Sequence, residues 1–180
     1  LTESCIHIMD RERVAIEDMF TDIRNLAKIF GVPNRAEHLI AEWQAELDEI
    51  AATIPNGDPP RVFVYDSGKD APFTAGQFGM PTAIIETAGG RNIMDDVDSN
   101  WTRVTWETVV ERDPEVIVII DYGEITAEEK IDFMRSNPGF SEIDAVINDR
   151  FVVLDYAEAT PGIRNISAIR TLANGLHSGD

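Results

Sequence analysis

The segment Val116–Ile120 (VIVII) contains no polar residue, and Pro114 and Gly123 bracket it. A run that is apolar on both faces has to be covered on both faces, as an interior strand of a parallel sheet is when helices flank it. A core helix is the competing reading. The run is short, however, and its β-branched residues are stiff at χ1 and suit a pleated strand better. The residues around it, Trp101, Trp106, Glu107, Asp121 and Tyr122, are the first place to look for function, because chain segments beyond the ends of such strands carry binding groups.

From Arg61 onward the pattern reads β-α-β-α-β-α. Arg61–Tyr65 is a strand, and a loop with several glycines runs over Asp66–Gly79. Pro81–Ala88 is a short helix closed by Gly89 and Gly90, and Arg91–Met94 continues as an extended piece. Thr105 caps a helix over Trp106–Arg112 that ends before Pro114. After the central strand, Thr126 caps Ala127–Arg135, with Glu129 three residues on. Phe151–Leu154 is the next strand, Asp155–Pro161 a loop, and Gly162–His177 a closing helix that turns Ile163, Ile166, Ile169, Leu172 and Leu176 inward. The expected fold is α/β: an open, mostly parallel sheet covered by helices.

Ahead of it, Ile6–Met9 reads as a short strand and Val14–Phe30 as an amphipathic helix stopped by Gly31. Asn34, with Glu37 three residues later, predicts a capping box for a long helix over Arg35–Thr53, whose apolar residues alternate spacings of four and three. The break at Pro55–Pro60 suggests two units, 1–57 and 58–180.

Charge narrows the partners. Against 33 acidic residues there are 15 basic ones, a formal net charge of -18. Such a surface repels nucleic acid and anionic membranes at long range and suits a cationic ligand or a basic partner. Cys5 is the single cysteine, so no intrachain disulfide forms. Its position near the start invites a lipid-anchor reading, but the LTES before it lacks the small, apolar character of a processed signal. No stretch approaches the ~20 apolar residues of a membrane span.

Catalytic signatures are weak. His7, His38 and His177 are scattered, and no metal-protease, phosphate-loop or nucleophile-elbow motif occurs. The acidic run Asp95–Asn100 lacks the glycine and closing glutamate of a calcium loop and reads as a solvated turn. Asp66 and Asp121 follow strands. With Lys69 they leave open an α/β enzyme or receiver-like domain, although strand-end aspartates are also routine turn formers. A lobe that serves only protein–protein contact is the third reading.

Taken together and in order, FTAGQFGMPTAIIETAGGRNIM, the tryptophan–glutamate pair of WTRVTWE, ERDPEVIVIIDYG and the closing IRNISAIRTLANGLH resemble the C-terminal lobe of substrate-binding proteins of ABC importers for iron-siderophores, haem or cobalamin. AIEDMFTDIRNLAKIFGVPNRAEHLIAEW resembles that family's connecting region and interlobe helix. The resemblance implies one lobe of a two-lobed receptor, with Arg35–Thr53 as the backbone helix and Leu1–Asp10 as the exit from the other lobe. It implies no catalysis and a periplasmic or cell-surface-anchored location. The ligand would be a ferric siderophore, or alternatively haem or cobalamin, and the partners a permease dimer and its ATPase. Self-association through surface left by the other lobe is a further expectation. Carried over residue by residue, Tyr65, Lys69, Phe73, Trp101, Tyr122, Tyr156 and Arg164 become candidate ligand-binding residues. Glu107 becomes a candidate docking knob for permease arginines, and no side chain is assigned to bind a bare metal ion.

Overall fold

The computed structural model describes residues 13–177. The expectations for Leu1–Asp10, Cys5 and Ile6–Met9 lie outside these residues. Two helices lead, α1 (Ile16–Ile29) and α2 (Pro33–Thr53). Then follow β1 (Arg61–Tyr65), β2 (Phe73–Ala75), α3 (Met80–Thr87), β3 (Arg91–Asn92), β4 (Trp101–Arg103), α4 (Trp106–Arg112) and β5 (Val116–Asp121). The chain continues with α5 (Ala127–Ser136), a 3-10 turn at Pro138–Phe140, α6 (Asp144–Ile147), β6 (Phe151–Asp155), α7 (Tyr156–Ala159) and α8 (Asn165–His177).

Four strands form one parallel sheet in the order β3-β1-β5-β6. The apolar run is its interior strand. β5 pairs with β1 from Val62↔Val116 to Tyr65↔Ile119, and with β6 from Ile117↔Phe151 to Asp121↔Asp155. Val116 to Ile120 are all at most 1 % exposed. Alternation along the strands splits the core in two. Val62, Val64, Val116, Val118 and Ile120 face α3, α8 and the two leading helices. Phe63, Tyr65, Ile117 and Ile119 face a second layer containing Trp106, Met134 and Phe140. Each fully buried Val or Ile contributes roughly 1.5–3 kcal/mol relative to exposure.

The leading helices share the first of these cores: Ile16, Met19, Phe20, Ile40 and Ile50 pack in the same cluster as Val62 and Leu172. Phe20 stacks on Trp43 with ring centroids 6.4 Å apart, and Arg170 of α8 reaches Glu46 of α2 at 2.8 Å. The α1–α2 corner leaves Leu26, Ile29, Phe30 and Val32 exposed.

Thr105 and Thr126 cap α4 and α5 as expected, Thr126 in a full capping box with Glu129. Other expectations need correction. Asn34 does not cap α2. Pro33 occupies its first turn, its fixed φ and missing N–H suiting that position, and Glu37 instead accepts two hydrogen bonds from Arg24. The stretch expected as a loop after β6 begins with the short helix α7, because Asp155 and Glu158 form a capping box. Ile163, expected inward on α8, is 61 % exposed, since the helix starts only at Asn165. The loop Asp66–Gly79 and the segment before α4 contain β2 and β4, an antiparallel pair in which Phe73 faces Arg103 and Ala75 faces Trp101.

Candidate functional site at the strand ends

In an open α/β sheet, ligands bind beyond the carboxyl ends of the strands. Here that edge carries Asp66 and Ser67 after β1, Asp121 and Tyr122 at the end of β5, and Asp155 and Tyr156 at the end of β6.

Tyr122 is the organised residue among them. Its hydroxyl donates to Asp66 Oδ2 at 2.8 Å, and the Ser67 hydroxyl donates to the same oxygen at 2.8 Å. The Asp66 carboxylate belongs to a residue only 4 % exposed, so these donors replace the water it has lost. The Lys130 ammonium lies 5.0 Å from the centre of the Tyr122 ring and donates to the Ile120 carbonyl at 2.5 Å. Burial pulls the Lys130 pKa below the ordinary lysine value, while the Asp66 and Asp121 charges oppose that shift. Burial raises the Tyr122 pKa, and its hydrogen bond to Asp66 raises it further by favouring the protonated phenol. Asp121 Oδ1 accepts from the Ala127 N–H at the start of α5.

Tyr156 lies beside Tyr122, ring centroids 5.1 Å apart, and the two are 54 % and 41 % exposed. Its position is fixed from behind. The buried Asn165 side chain donates to the carbonyls of Glu158 and Thr160 at 2.9 and 2.8 Å and accepts from the Gly162 N–H at 2.8 Å. The result is an aromatic shelf at the ends of two adjacent parallel strands.

The remaining candidates are distributed around it. Tyr65 is a core residue, 2 % exposed, with its ring 5.3 Å from Trp106; this corrects its expected place on a ligand face, because β1 turns it into the second core. Lys69 is exposed, with its ammonium 5.6 Å from the Phe133 ring, and its carbonyl accepts from the Trp106 indole N–H at 2.6 Å. That turn needs Gly68, whose φ is +92°, and a Cβ there would come within 2.3 Å of the Ala71 carbonyl oxygen. Phe73 and Trp101 stack across β2 and β4 at 5.6 Å, each half-buried, and Trp101 packs against the first core. Arg164 is exposed in the turn before α8, and Glu107 is exposed in the first turn of α4. Tyr122 and Tyr156 are therefore in ring contact, as are Phe73 and Trp101, whereas Tyr65 is withdrawn from the surface.

Lys130 is a supporting residue that sequence reasoning passed over, whereas Asp66 enters that reasoning only as a strand-end carboxylate of the alternative enzyme reading. Lys130 occupies an inward position on α5, three residues after Ala127 and four before Met134, both buried, which is the one signal that could have singled it out. Lys130, and not Lys69, carries the charge coupled to both Asp66 and Asp121. Among the described residues, no group of three or more His, Cys, Asp or Glu side chains is arranged to hold a metal ion. A separate cleft lined by Arg61, Arg91 and Arg112 has each arginine paired with carboxylates, Arg61 with Asp113 and Glu115, Arg91 with Asp95, and Arg112 with Asp96. No described helix is long and apolar enough to cross a membrane.

The chain is 25 % identical over 167 residues to an uncharacterized ABC transporter substrate-binding lipoprotein, YvrC, of Bacillus subtilis, covering 91 % of this chain and 51 % of that protein. It is 28 % identical over 121 residues to the vitamin B12-binding protein of Pectobacterium carotovorum, covering 66 % of this chain and 44 % of the relative. The chain thus spans about half the length of these curated relatives. The crystal structure of a periplasmic binding protein from Veillonella parvula superposes with a TM-score of 0.85 at 34 % identity, over 92 % of this chain and 58 % of the other. The family model for periplasmic binding proteins matches residues 3–157, and the chain belongs to that family.

Proposed function

We propose that this chain forms the C-terminal lobe and connecting helices of the substrate-binding component of an ABC importer, acting outside the cytoplasm without catalysis. Its ligand is a ferric siderophore or a related iron or tetrapyrrole complex such as haem or cobalamin, which it delivers to a permease dimer driven by an ATPase. The observation that carries the reading is the exposed Tyr122–Tyr156 pair, held by Asp66, Lys130 and Asn165 at the carboxyl ends of adjacent parallel strands. Exposed aromatic rings fixed from behind offer apolar contact area at little entropic cost. Phe73, Trp101, Lys69 and Arg164 extend the same end of the lobe. The names of the Bacillus and Pectobacterium relatives, one a substrate-binding lipoprotein and one a vitamin B12-binding protein, agree with this reading. The division into 1–57 and 58–180 belongs to it as well, the first part being the interlobe connection.

Glu107 supplies the docking contact. It projects from the start of α4, whose N-terminal Trp106 is wedged against Tyr65, Phe133 and Phe140, so the carboxylate stands on a rigid base. A fixed acidic knob suits a basic socket, where it serves orientation and encounter rate. Calorimetric titration of the full-length protein with a ferric trihydroxamate, a ferric tricatecholate, haem and cyanocobalamin tests the proposal. Binding of at least one at about 1 µM or tighter is expected, and binding of none of the four removes it.

A further inference from the structure

The Tyr122 oxygen is committed. It donates to Asp66 Oδ2 at 2.8 Å, and that carboxylate is buried and already accepts from Ser67. For Tyr122 to bind a metal as a phenolate it would have to lose this bond and set a second negative oxygen against the Asp66 carboxylate. The nearby Lys130 ammonium is bonded to the Ile120 carbonyl and faces the ring, not the oxygen. What Tyr122 offers a ligand is therefore its ring, alongside the ring of Tyr156.

Other donors to a metal are placed elsewhere. Among the described residues, His38 pairs with Glu42 on α2, and His177 contacts the Ala88 carbonyl at the far end of α8. Met80, Met94 and Met134 are buried in the cores.

The charge at this end of the sheet is of one dominant sign. Asp70, Glu124, Glu128 and Asp155 are exposed there, and Asp121 and Glu158 are half-buried. Lys69, Arg103 and Arg164 are exposed cations at the same end, Arg103 lying over the Phe73 ring, and the Lys69 charge acts on the exposed Glu129 carboxylate. A polyanionic ligand would meet net repulsion here, within one Debye length.

We propose, resting on the ligand-binding reading above, that the shelf takes a coordinatively saturated metal complex that is uncharged or cationic, such as a ferric trihydroxamate or a corrinoid. The complex lies against the faces of Tyr122 and Tyr156, and their oxygens do not bind its metal. The two sources share a full coordination sphere and an amide-rich, low-charge exterior.

Affinity measurements on the full-length protein decide it. The probes are ferrichrome, ferrioxamine B, cyanocobalamin, a ferric tricatecholate and haem. Either a trihydroxamate or the corrinoid should bind at least on the order of tenfold tighter than the tricatecholate and haem, and which of the two binds identifies the source. Raising salt should leave an uncharged preferred ligand unchanged, weaken the cationic ferrioxamine B, and strengthen whatever residual binding the anionic complexes show. Tyr122→Ala should weaken affinity on the order of tenfold, as loss of a stacking face does, and Tyr122→Phe, which keeps the face but gives up its bond to Asp66, should weaken it less. Equal or tighter binding of an anionic complex overturns the proposal and leaves the ligand-binding reading intact. So does a loss in Tyr122→Phe as large as in Tyr122→Ala, or a phenolate-to-iron charge-transfer band that disappears with Tyr122→Phe. Binding of no probe overturns both.

Discussion

Tyr122 and Asp66 close the gap between two adjacent parallel strands: the phenol at the end of β5 donates to the carboxylate just past β1 at 2.8 Å. Backbone pairing of these strands runs only as far as Tyr65↔Ile119. The side-chain bond continues the connection beyond it, and it fixes the orientation of a ring that is 41 % exposed. A surface aromatic is thereby given the rotamer certainty of a core residue, which lowers the ordering cost of binding against it.

Alkaline pH should destabilise the lobe through Tyr65. Burial pushes its pKa from 10.0 up to about 12, with the Asp66 charge adding to the effect. A folded-state pKa above the unfolded value gives stability that is complete below pH 10 and lost as pH rises toward 12. The loss amounts to about 2–3 kcal/mol. Denaturant unfolding of Tyr65→Phe between pH 9 and 12 should show a flatter profile, with little change at pH 7 because the phenol's contact to the Gly68 carbonyl is long, 3.5 Å.

Asn165 should matter more than its single side chain suggests. It holds three backbone groups of the turn behind Tyr156. Asn165→Ala leaves them unpaired and should cost about 2–4 kcal/mol, with weaker ligand binding. Asn165→Asp keeps the acceptor for Gly162 but sets a buried carboxylate oxygen against the two carbonyls, so at neutral pH it should destabilise at least as much as Asn165→Ala in thermal melts.

Helix α8 rests on β6 where Gly175 meets Val152. A Cβ at Gly175 would come 2.4 Å from Val152 Cγ2. Gly175→Ala should therefore destabilise by about 1–3 kcal/mol, the ordinary cost of overpacking, in spite of the better helix propensity of alanine. Val152→Ala opens the space. A double-mutant cycle by chemical denaturation should show the two changes partly cancelling.

The leading helices and the sheet should unfold together, because Phe20 and Ile40 share a core with Val62 and Leu172. Single-tryptophan variants that retain only Trp43 on α2 or only Trp106 on α4 should report coincident denaturation midpoints. Separated midpoints would show that the two units fold independently.

Glu107→Lys should leave folding and ligand affinity unchanged and abolish stimulation of the importer's ATPase. The measurement is ATP hydrolysis by the reconstituted transporter with and without the variant. Unaltered stimulation would remove Glu107 from the docking surface.

Sequence alone determined the sheet's central strand, the helices that cover it and two of the helix caps. Each depends on local pattern: an apolar run, a period of 3.6, a threonine three residues before its partner N–H. Local pattern also misled. Asn34 and Glu37 have capping-box spacing, yet Pro33 starts the helix first, and Arg24 on a neighbouring helix takes the glutamate. Two strands of three residues each, β2 and β4, are too short to show a period, and pairing across the chain makes them. At the site, sequence placed Tyr65, Tyr122 and Tyr156 alike, each at the end of a strand. Only tertiary structure separated them. The side of the sheet that a strand presents depends on which layers cover it, so Tyr65 is buried under Trp106 while Tyr122 and Tyr156 meet in solvent. The pairing of Tyr122 with Asp66 joins residues 56 positions apart, and only the packing of β1 beside β5 brings them together.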